Sequence, residues 1–200
     1  YAQSLYEKKV LTYPRTDSRY LTSDMAETAS CVIHLAVKLP PFDGISNFFP
    51  LVEVMISDKE VSDHHAIIPT MEIEKADLKL LPVGERNLLL LVCCKLLCAS
   101  AEPYVYEAVT ATFDCCGHSF TAKGKRILSE GWREIDRIFR AFQKEKPADG
   151  DGGTLPDFTK GQTFGGAEVA VTEHFTQPPK PYSEDTLLSA MENAGKDDIP

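Results

Sequence analysis

Residues 84–99 carry apolar side chains on nearly all sides when the stretch is drawn as a helix. Such a helix has no solvent face of its own, so other parts of the chain have to cover it. With 43% hydrophobic and 26% charged residues among 200, the composition is that of an ordinary globular protein that can bury a core. The sequence therefore predicts a helix over 84–99 that is buried on most sides.

A different pattern begins after Pro103. Residues 104–114 are rich in Tyr, Val, Thr and Phe, and residues 118–122 continue with alternating side chains. Cys116-Gly117 offers a turn between the two runs, so together they predict a β-hairpin. Further along the chain, residues 167–175 alternate as a strand.

Helix signals lie on both sides of the predicted hairpin. Ser23 or Asp24 can cap a helix that runs to about Lys38. Residues 51–56 fit a short strand or a helix, and their periodicity does not decide between the two. Ser183 can cap a final helix that has acidic residues in its first turn.

These patterns predict an α+β multidomain fragment in three parts. The first, 1–100, is mostly helical; the second, 101–147, is β-rich; and the third, 148–200, is a return segment with a strand and a C-terminal helix. The polar, glycine-rich stretch 144–153 is typical of a flexible connection. The longest apolar run, 88–94, is too short to span a bilayer, which indicates a cytoplasmic protein with no membrane partner.

Residues 10–21 (VLTYPRTDSRYL) bring together a phenol, guanidiniums, hydroxyls and a carboxylate. Tyr13 precedes Pro14, which lacks an N–H and disfavours helical geometry at the residue before it, so the tyrosine should lie where regular structure stops. The guanidinium of Arg15 is shaped to hold a phosphate through two hydrogen bonds. This pattern fits a tyrosine that attacks phosphorus. It fits equally a Tyr-Pro turn with charged residues on the surface.

Three ordered segments carry a family resemblance. The first joins 2–7 (AQSLYE) to 11–21 (LTYPRTDSRYL), the second is 63–70 (DHHAIIPT), and the third is 174–184 (HFTQPPKPYSE), which runs on to residue 193. In this order they resemble motifs of the type IA DNA topoisomerases, and the Pro14 form of the first is most similar to bacterial topoisomerase III. The resemblance identifies the chain as a central fragment of such an enzyme, in which the strands after Pro103 would be gate strands.

The resemblance implies an ATP-independent isomerase that cuts and reseals one DNA strand through a 5′-phosphotyrosine intermediate, so that another strand can pass. By position, Tyr13 would be the nucleophile and Arg15 would bind the scissile phosphate. His64 would donate a hydrogen bond to that phosphate, and Asp17 matches the position that holds this histidine. As a fragment, the chain alone is expected to be inactive.

The resemblance also implies DNA-binding residues around the tyrosine. Arg19 is the strongest candidate; Thr16 and Ser18 are candidates for which roles in the turn or as caps are equally open. His65 fits flanking structure or a phosphate contact.

Cofactors and partners follow from the same resemblance. The full-length parent would use Mg²⁺, bound by a Toprim domain outside this chain, so no metal is expected in the fragment. The expected partners are single-stranded DNA and the missing Toprim and remaining gate domains of the same polypeptide. The six cysteines contain no paired Cys-x-x-Cys motifs, so they are expected to be reduced structural residues with no zinc.

The net charge of −9 opposes general nucleic-acid binding, because phosphate neutralisation needs a basic face. A local basic cluster of Lys8, Lys9, Arg15 and Arg19 beside the tyrosine would relieve this conflict. Two alternatives stay open. One is a non-catalytic nucleic-acid-binding or structural module, and the other is a metal-dependent hydrolase centred on Asp63 and His64.

Overall fold

The computed structural model of the chain describes residues 1–144, 155–166 and 170–194. It divides the chain into two compact units, Tyr1–Phe158 and Thr159–Pro200. The main elements of the first unit are α1 (Ala2–Glu7), α2 (Ala26–Ala36), α3 (Val83–Ala99), β1 (Val105–Cys115), β2 (His118–Ser129) and α4 (Trp132–Phe142). The second unit contains α5 (Glu184–Asn193). The mixture of helices and antiparallel strands confirms the α+β class, whereas the predicted multidomain arrangement, with boundaries at 100 and 147, stays a prediction.

Helix α3 forms the centre of the first unit, as its apolar sequence predicts. Leu89, Leu90, Cys93, Cys94 and Leu97 are almost completely buried. The helix packs against α1, α2 and α4. Each leucine that is buried fully stabilises the fold by about 2 kcal/mol, so this helix supplies much of the apolar burial that holds the unit together.

The predicted cap of α2 is wrong. Ser23–Met25 form a short 3₁₀ turn before the helix, and neither the turn nor α2 has a side-chain cap. The backbone N–H of Ser23 instead donates to Asp58 Oδ1 at 2.7 Å. The ambiguous segment at 51–56 contains another 3₁₀ turn, Val52–Met55.

The predicted hairpin is confirmed, and its second strand is longer than expected. β1 and β2 pair antiparallel from Cys115 opposite His118 to Val105 opposite Ser129. The turn residues Cys116 and Gly117 have φ values of 54° and 80°. Left-handed backbone at both central positions is typical of a two-residue hairpin turn with the twist that the strands need. The N–H of Gly117 also donates to Asp114 Oδ1 at 3.2 Å.

A hydrogen bond joins the two ends of the hairpin at the point where they meet the helical core. The N–H of Trp132, the first residue of α4, donates to the carbonyl oxygen of Glu102 at 2.9 Å. Gly131 has a φ of 48°, and a Cβ atom there would lie 2.4 Å from the carbonyl oxygens of Glu102 and Pro103. Only glycine allows the chain to approach so closely at this point.

Helix α5 of the second unit begins as the sequence predicts. Ser183 Oγ accepts from the N–H of Thr186 at 3.2 Å, and the N–H of Ser183 donates to Thr186 Oγ1 at 2.8 Å, which completes a capping box. The predicted strand over 167–175 is not formed in residues 170–175. Residues 167–169, and 145–153 of the predicted flexible connection, lie outside the described residues. No helix in the described ranges combines the length and apolar character that crossing a membrane requires.

Candidate functional site

The tyrosine loop, residues 12–21, runs beside the segment 60–70. An isolated antiparallel bridge joins Leu11 to Pro69. The N–H of Thr12 donates to the carbonyl oxygen of Ile68 at 3.0 Å, and the N–H of Ala66 donates to the carbonyl oxygen of Tyr20 at 2.8 Å. Two of the three motif segments, distant in sequence, therefore lie side by side.

Three hydroxyl side chains of the loop form hydrogen bonds with the backbone of the segment 60–70. Thr12 Oγ1 accepts from the N–H of Ile68 at 3.0 Å. Thr16 Oγ1 donates to the carbonyl oxygen of His64 at 2.8 Å, and Ser18 Oγ donates to that of Glu60 at 2.8 Å.

Two of these hydroxyls also shape the loop from within. The N–H of Ser18 donates to Thr16 Oγ1 and that of Tyr20 donates to Ser18 Oγ, both at 3.1 Å. Thr16 and Ser18 thus set the conformation of the loop, while their contact with DNA stays a prediction.

Tyr13 is half-buried between two other rings. The Tyr6 ring meets it edge-on with 5.4 Å between centroids, and the His64 imidazole lies 4.5 Å away at an interplanar angle of 46°. Aromatic pairs of this kind are worth about 0.5–1.5 kcal/mol beyond their area burial, so they hold the ring in place. The Tyr13 hydroxyl makes no hydrogen bond to any residue that the structure describes, and it is therefore available to an external group.

The charged side chains of the loop point into solvent. Arg15, Asp17 and Arg19 are exposed, and none has an ion-pair partner in the described part of the chain. Arg19 lines a cavity of about 190 Å³ together with Lys95 and an apolar floor. Between Asp17 and His64, residues that are both described, the structure contains no hydrogen bond, so the orienting role of Asp17 stays a prediction.

The two neighbouring histidines have different surroundings. His64 is exposed and lies against Tyr13, whereas His65 is half-buried with Nδ1 2.7 Å from the carbonyl oxygen of Ala66. Within the described residues, neither Asp63 nor His64 belongs to a group of three or more side chains that could hold a metal ion. The hydrolase alternative therefore has no support in the described chain.

The prediction of a basic cluster beside the tyrosine is wrong for Lys8. Lys8 Nζ is paired with Glu85 Oε2, and Ser4 Oγ donates to the other oxygen of that carboxylate at 2.9 Å. The hydrogen bond from Lys8 holds the pKa of Glu85 below its ordinary value. The charge of Lys8, whose side chain is 43% exposed, is thus paired with the buried carboxylate of α3. Of the predicted cluster, Lys9, Arg15 and Arg19 have no ion-pair partner among the described residues.

Sequence reasoning missed Tyr6, Thr12 and Glu85 as residues that build the site. Tyr6 and Thr12 lie in the motif that carries the resemblance, so their proximity to Tyr13 was visible, but their contacts were not. Glu85 lies in the first turn of α3, and no sequence signal connects it to Lys8.

Comparison with known proteins adds two findings. A family model described as DNA topoisomerase matches residues 1–195. Curated relatives named DNA topoisomerase 3 from Bacillus licheniformis and Bacillus subtilis are each 36% identical over 196 residues, and one from Staphylococcus aureus (strain NCTC 8325) is 34% identical. These matches cover 96% of this chain but only 26% of each relative. The chain therefore spans about a quarter of the length of the relatives it matches.

Proposed function

The chain belongs to the type IA DNA topoisomerase family, and we propose that it carries the strand-cleaving tyrosine of a bacterial DNA topoisomerase 3. The observation that carries the proposal is the position of Tyr13. Its ring is held between Tyr6 and His64, its hydroxyl has no partner in the described chain, and the exposed guanidinium of Arg15 follows two residues later.

The proposed reaction is a transesterification. The Tyr13 oxygen attacks the phosphorus of a single-stranded DNA backbone and the bond from phosphorus to the 3′ oxygen breaks. The phenol proton ends on that oxygen, which leaves a 3′-hydroxyl and a 5′-phosphotyrosine. Attack of the 3′-hydroxyl on the phosphotyrosine restores both starting groups after another strand has passed. One phosphodiester replaces another, so the cycle needs no ATP.

The surrounding residues are proposed to bind and stabilise the reacting phosphate. Arg15 would hold its oxygens and offset the charge that develops on them in the transition state. His64, whose ring already touches that of Tyr13, would donate a hydrogen bond to the same phosphate. Asp17 would orient His64 once DNA is bound. Arg19, Thr16, Ser18 and His65 would contact the DNA backbone on either side.

The remaining chemistry is proposed to lie outside this chain. The cluster of described side chains that could hold a metal ion contains two thiols. Mg²⁺ instead prefers oxygen ligands. The present residues therefore do not fit the Mg²⁺ that the family implies. Since the relatives are about four times longer, we propose that the Mg²⁺ site and much of the DNA groove belong to the Toprim and gate domains, and that the isolated chain does not relax DNA.

Covalent trapping by the full-length parent tests the proposal. The enzyme is incubated with Mg²⁺ and a 3′-labelled single-stranded oligonucleotide, denatured and run on a gel. A labelled adduct is expected for the wild type, because the 5′-phosphotyrosine retains the labelled end. Tyr13→Phe should abolish it. Tyr20→Phe, which changes an exposed tyrosine of the same loop, is the matched control and should retain it.

The opposite results have definite meanings. An adduct that persists in Tyr13→Phe removes the tyrosine from the role of nucleophile. A wild-type parent that binds the oligonucleotide without forming an adduct favours the alternative, a non-catalytic nucleic-acid-binding or structural module.

A further inference from the structure

We propose that Cys94, Cys98 and Asp136 form a binding site for a thiophilic divalent cation such as Zn²⁺ at the contact between α3 and α4. The two thiols come from α3 and the carboxylate from α4. Their ligand atoms all lie within 4.8 Å of one another. The proposal is independent of the function proposed for the tyrosine loop.

The two sulfur atoms already have a spacing that suits a tetrahedral metal. Residues four apart lie on the same face of a helix, and the Sγ atoms of Cys94 and Cys98 are 3.9 Å apart. Two thiolates on one Zn²⁺, with Zn–S bonds of about 2.3 Å, lie about 3.8 Å from each other. The pair can therefore bind one ion without a change in the backbone of α3.

The third ligand is held beside the thiols by two basic side chains. Asp136 Oδ1 lies 3.4 Å from Lys95 Nζ, and Asp136 Oδ2 lies 2.5 Å from Arg140 Nε. Partial burial opposes the charge of this carboxyl, but the hydrogen bond from Arg140 and the charge of Lys95 hold the pKa of Asp136 below its usual range. Each carboxylate oxygen has a second lone pair, so the group can ligate a metal while it keeps these contacts.

Position selects two of the three cysteines of α3 as ligands. The Sγ atoms of Cys94 and Cys98 lie 3.9 Å apart, and both belong to the cluster that contains Asp136. Cys93 is fully buried in the core and is not part of that cluster. Both ligands would bind the metal as thiolates, so binding to protonated thiols releases protons.

A bound ion would join α3 to α4. Cys94 is buried, whereas Cys98 and Asp136 are half-buried, so the site is open to solvent on one side. Three protein ligands leave the fourth tetrahedral position for water. The sequence gives no hint of this site, since the third ligand lies 38 positions beyond Cys98 (136 minus 98) and no paired Cys-x-x-Cys motif is present.

Cobalt titration of the 200-residue chain tests the site. The three exposed cysteines are first removed as Cys31→Ser, Cys115→Ser and Cys116→Ser, so that only the three cysteines of α3 remain. We expect one equivalent of Co²⁺ to give a thiolate-to-cobalt absorption band and tetrahedral visible bands, which Zn²⁺ then displaces. Adding Cys98→Ser should weaken binding by at least about tenfold, as loss of a ligand or its support does. Adding Cys93→Ala, the matched control, should leave the bands unchanged.

Circular dichroism of each variant separates loss of the site from loss of the fold. If Cys98→Ser does not fold, Asp136→Asn tests the site in its place. This variant should also weaken Co²⁺ binding by at least about tenfold. The proposal is overturned by a folded background variant that gives no thiolate band. It is equally overturned by folded Cys98→Ser or Asp136→Asn variants that bind as tightly as their parent.

Discussion

The imidazole of His64 lies against the ring of Tyr13, with 4.5 Å between the centroids. The backbone of the same histidine is fixed by the hydroxyl of Thr16, which donates to its carbonyl oxygen. Both ends of the tyrosine loop are bonded to the segment that carries His64, so the distance between the two rings is set by the backbone and not by the side chains alone.

Replacing His64 by alanine in the full-length parent should lower the rate of adduct formation by about a hundredfold, the usual loss for a group that donates to the reacting phosphate. The measurement is the rate at which the labelled adduct appears in the trapping assay. His34→Ala changes another exposed histidine, in α2, and should leave the rate unchanged. Equal rates for the two variants would remove His64 from the reaction.

Thr16→Val should lower the free energy of unfolding by about 1–2 kcal/mol, because it removes the donor to His64 and the acceptor for Ser18. Urea unfolding of the chain measures the change. Thr121→Val, at an exposed position in β2, should change the same quantity by less than about 0.5 kcal/mol. A Thr16 variant as stable as the control would show that the loop is held without this hydroxyl.

Stability should fall as the pH drops below about 4.5, in part because of Glu85. Its pKa in the folded chain is lower than the ordinary value of 4.5. The carboxylate therefore stabilises the fold above the unfolded pKa, and this contribution is lost as the pH falls through the folded pKa. Glu85→Gln should flatten this part of the pH–stability curve, measured by urea unfolding at pH values above and below the ordinary pKa of 4.5. An unchanged curve, like that expected for the exposed control Glu74→Gln, would contradict the role of the Lys8–Glu85 pair.

Gly117→Ala should destabilise the hairpin by about 1 kcal/mol, because the glycine has a φ of 80° and an L-residue is strained there. Steric contact is not the cause, since a Cβ at this position would meet no atom within 4 Å. Gly44→Ala has the same open surroundings without positive φ, and it should be neutral or slightly stabilising. Thermal unfolding of both variants gives the comparison, and equal melting temperatures would exclude backbone strain at the turn.

Ser183→Ala should weaken the start of α5 by about 1 kcal/mol through loss of the capping box. Hydrogen exchange of the first amides of α5 is the measurement, and it should become about fivefold faster, which corresponds to that energy. Ser189→Ala lies at an exposed position inside the same helix and should slow exchange slightly, since alanine favours helix. Unchanged exchange in Ser183→Ala would show that the cap adds nothing.

Three local patterns in the sequence predicted local structure, whereas the alternation at 167–175 did not give a strand in residues 170–175. The apolar run of α3, the turn at Cys116-Gly117 and the cap at Ser183 each depend on neighbouring residues, and all three are confirmed. The predicted cap of α2 is wrong because Ser23–Met25 form a 3₁₀ turn and the α-helix begins only at Ala26; the Ser23 N–H bonds to Asp58, which is far away in sequence. Lys8 was assigned to a free basic cluster, since nothing near it reveals Glu85.

The candidate site shows the same difference between features that depend on neighbouring residues and contacts between distant segments. The motifs predicted which residues belong together, and the structure brings Tyr13 and His64 into contact. The hydroxyl bonds of Thr12, Thr16 and Ser18 to the 60–68 segment depend on how two distant segments meet, so no pattern in either segment alone could predict them. The chemical roles of Arg15, Asp17 and Arg19 depend on DNA and stay predictions.

The hydrogen bond from Trp132 to Glu102 closes the base of the hairpin where α3 ends and α4 begins. The chain thus leaves the helical core and returns to it at one point. Because the closing bond lies at the base, extra or missing residue pairs near the turn would lengthen or shorten the two strands without moving α3 relative to α4. The hairpin can therefore vary in reach during evolution, or be extended by design, while the helices that support the tyrosine loop keep their places.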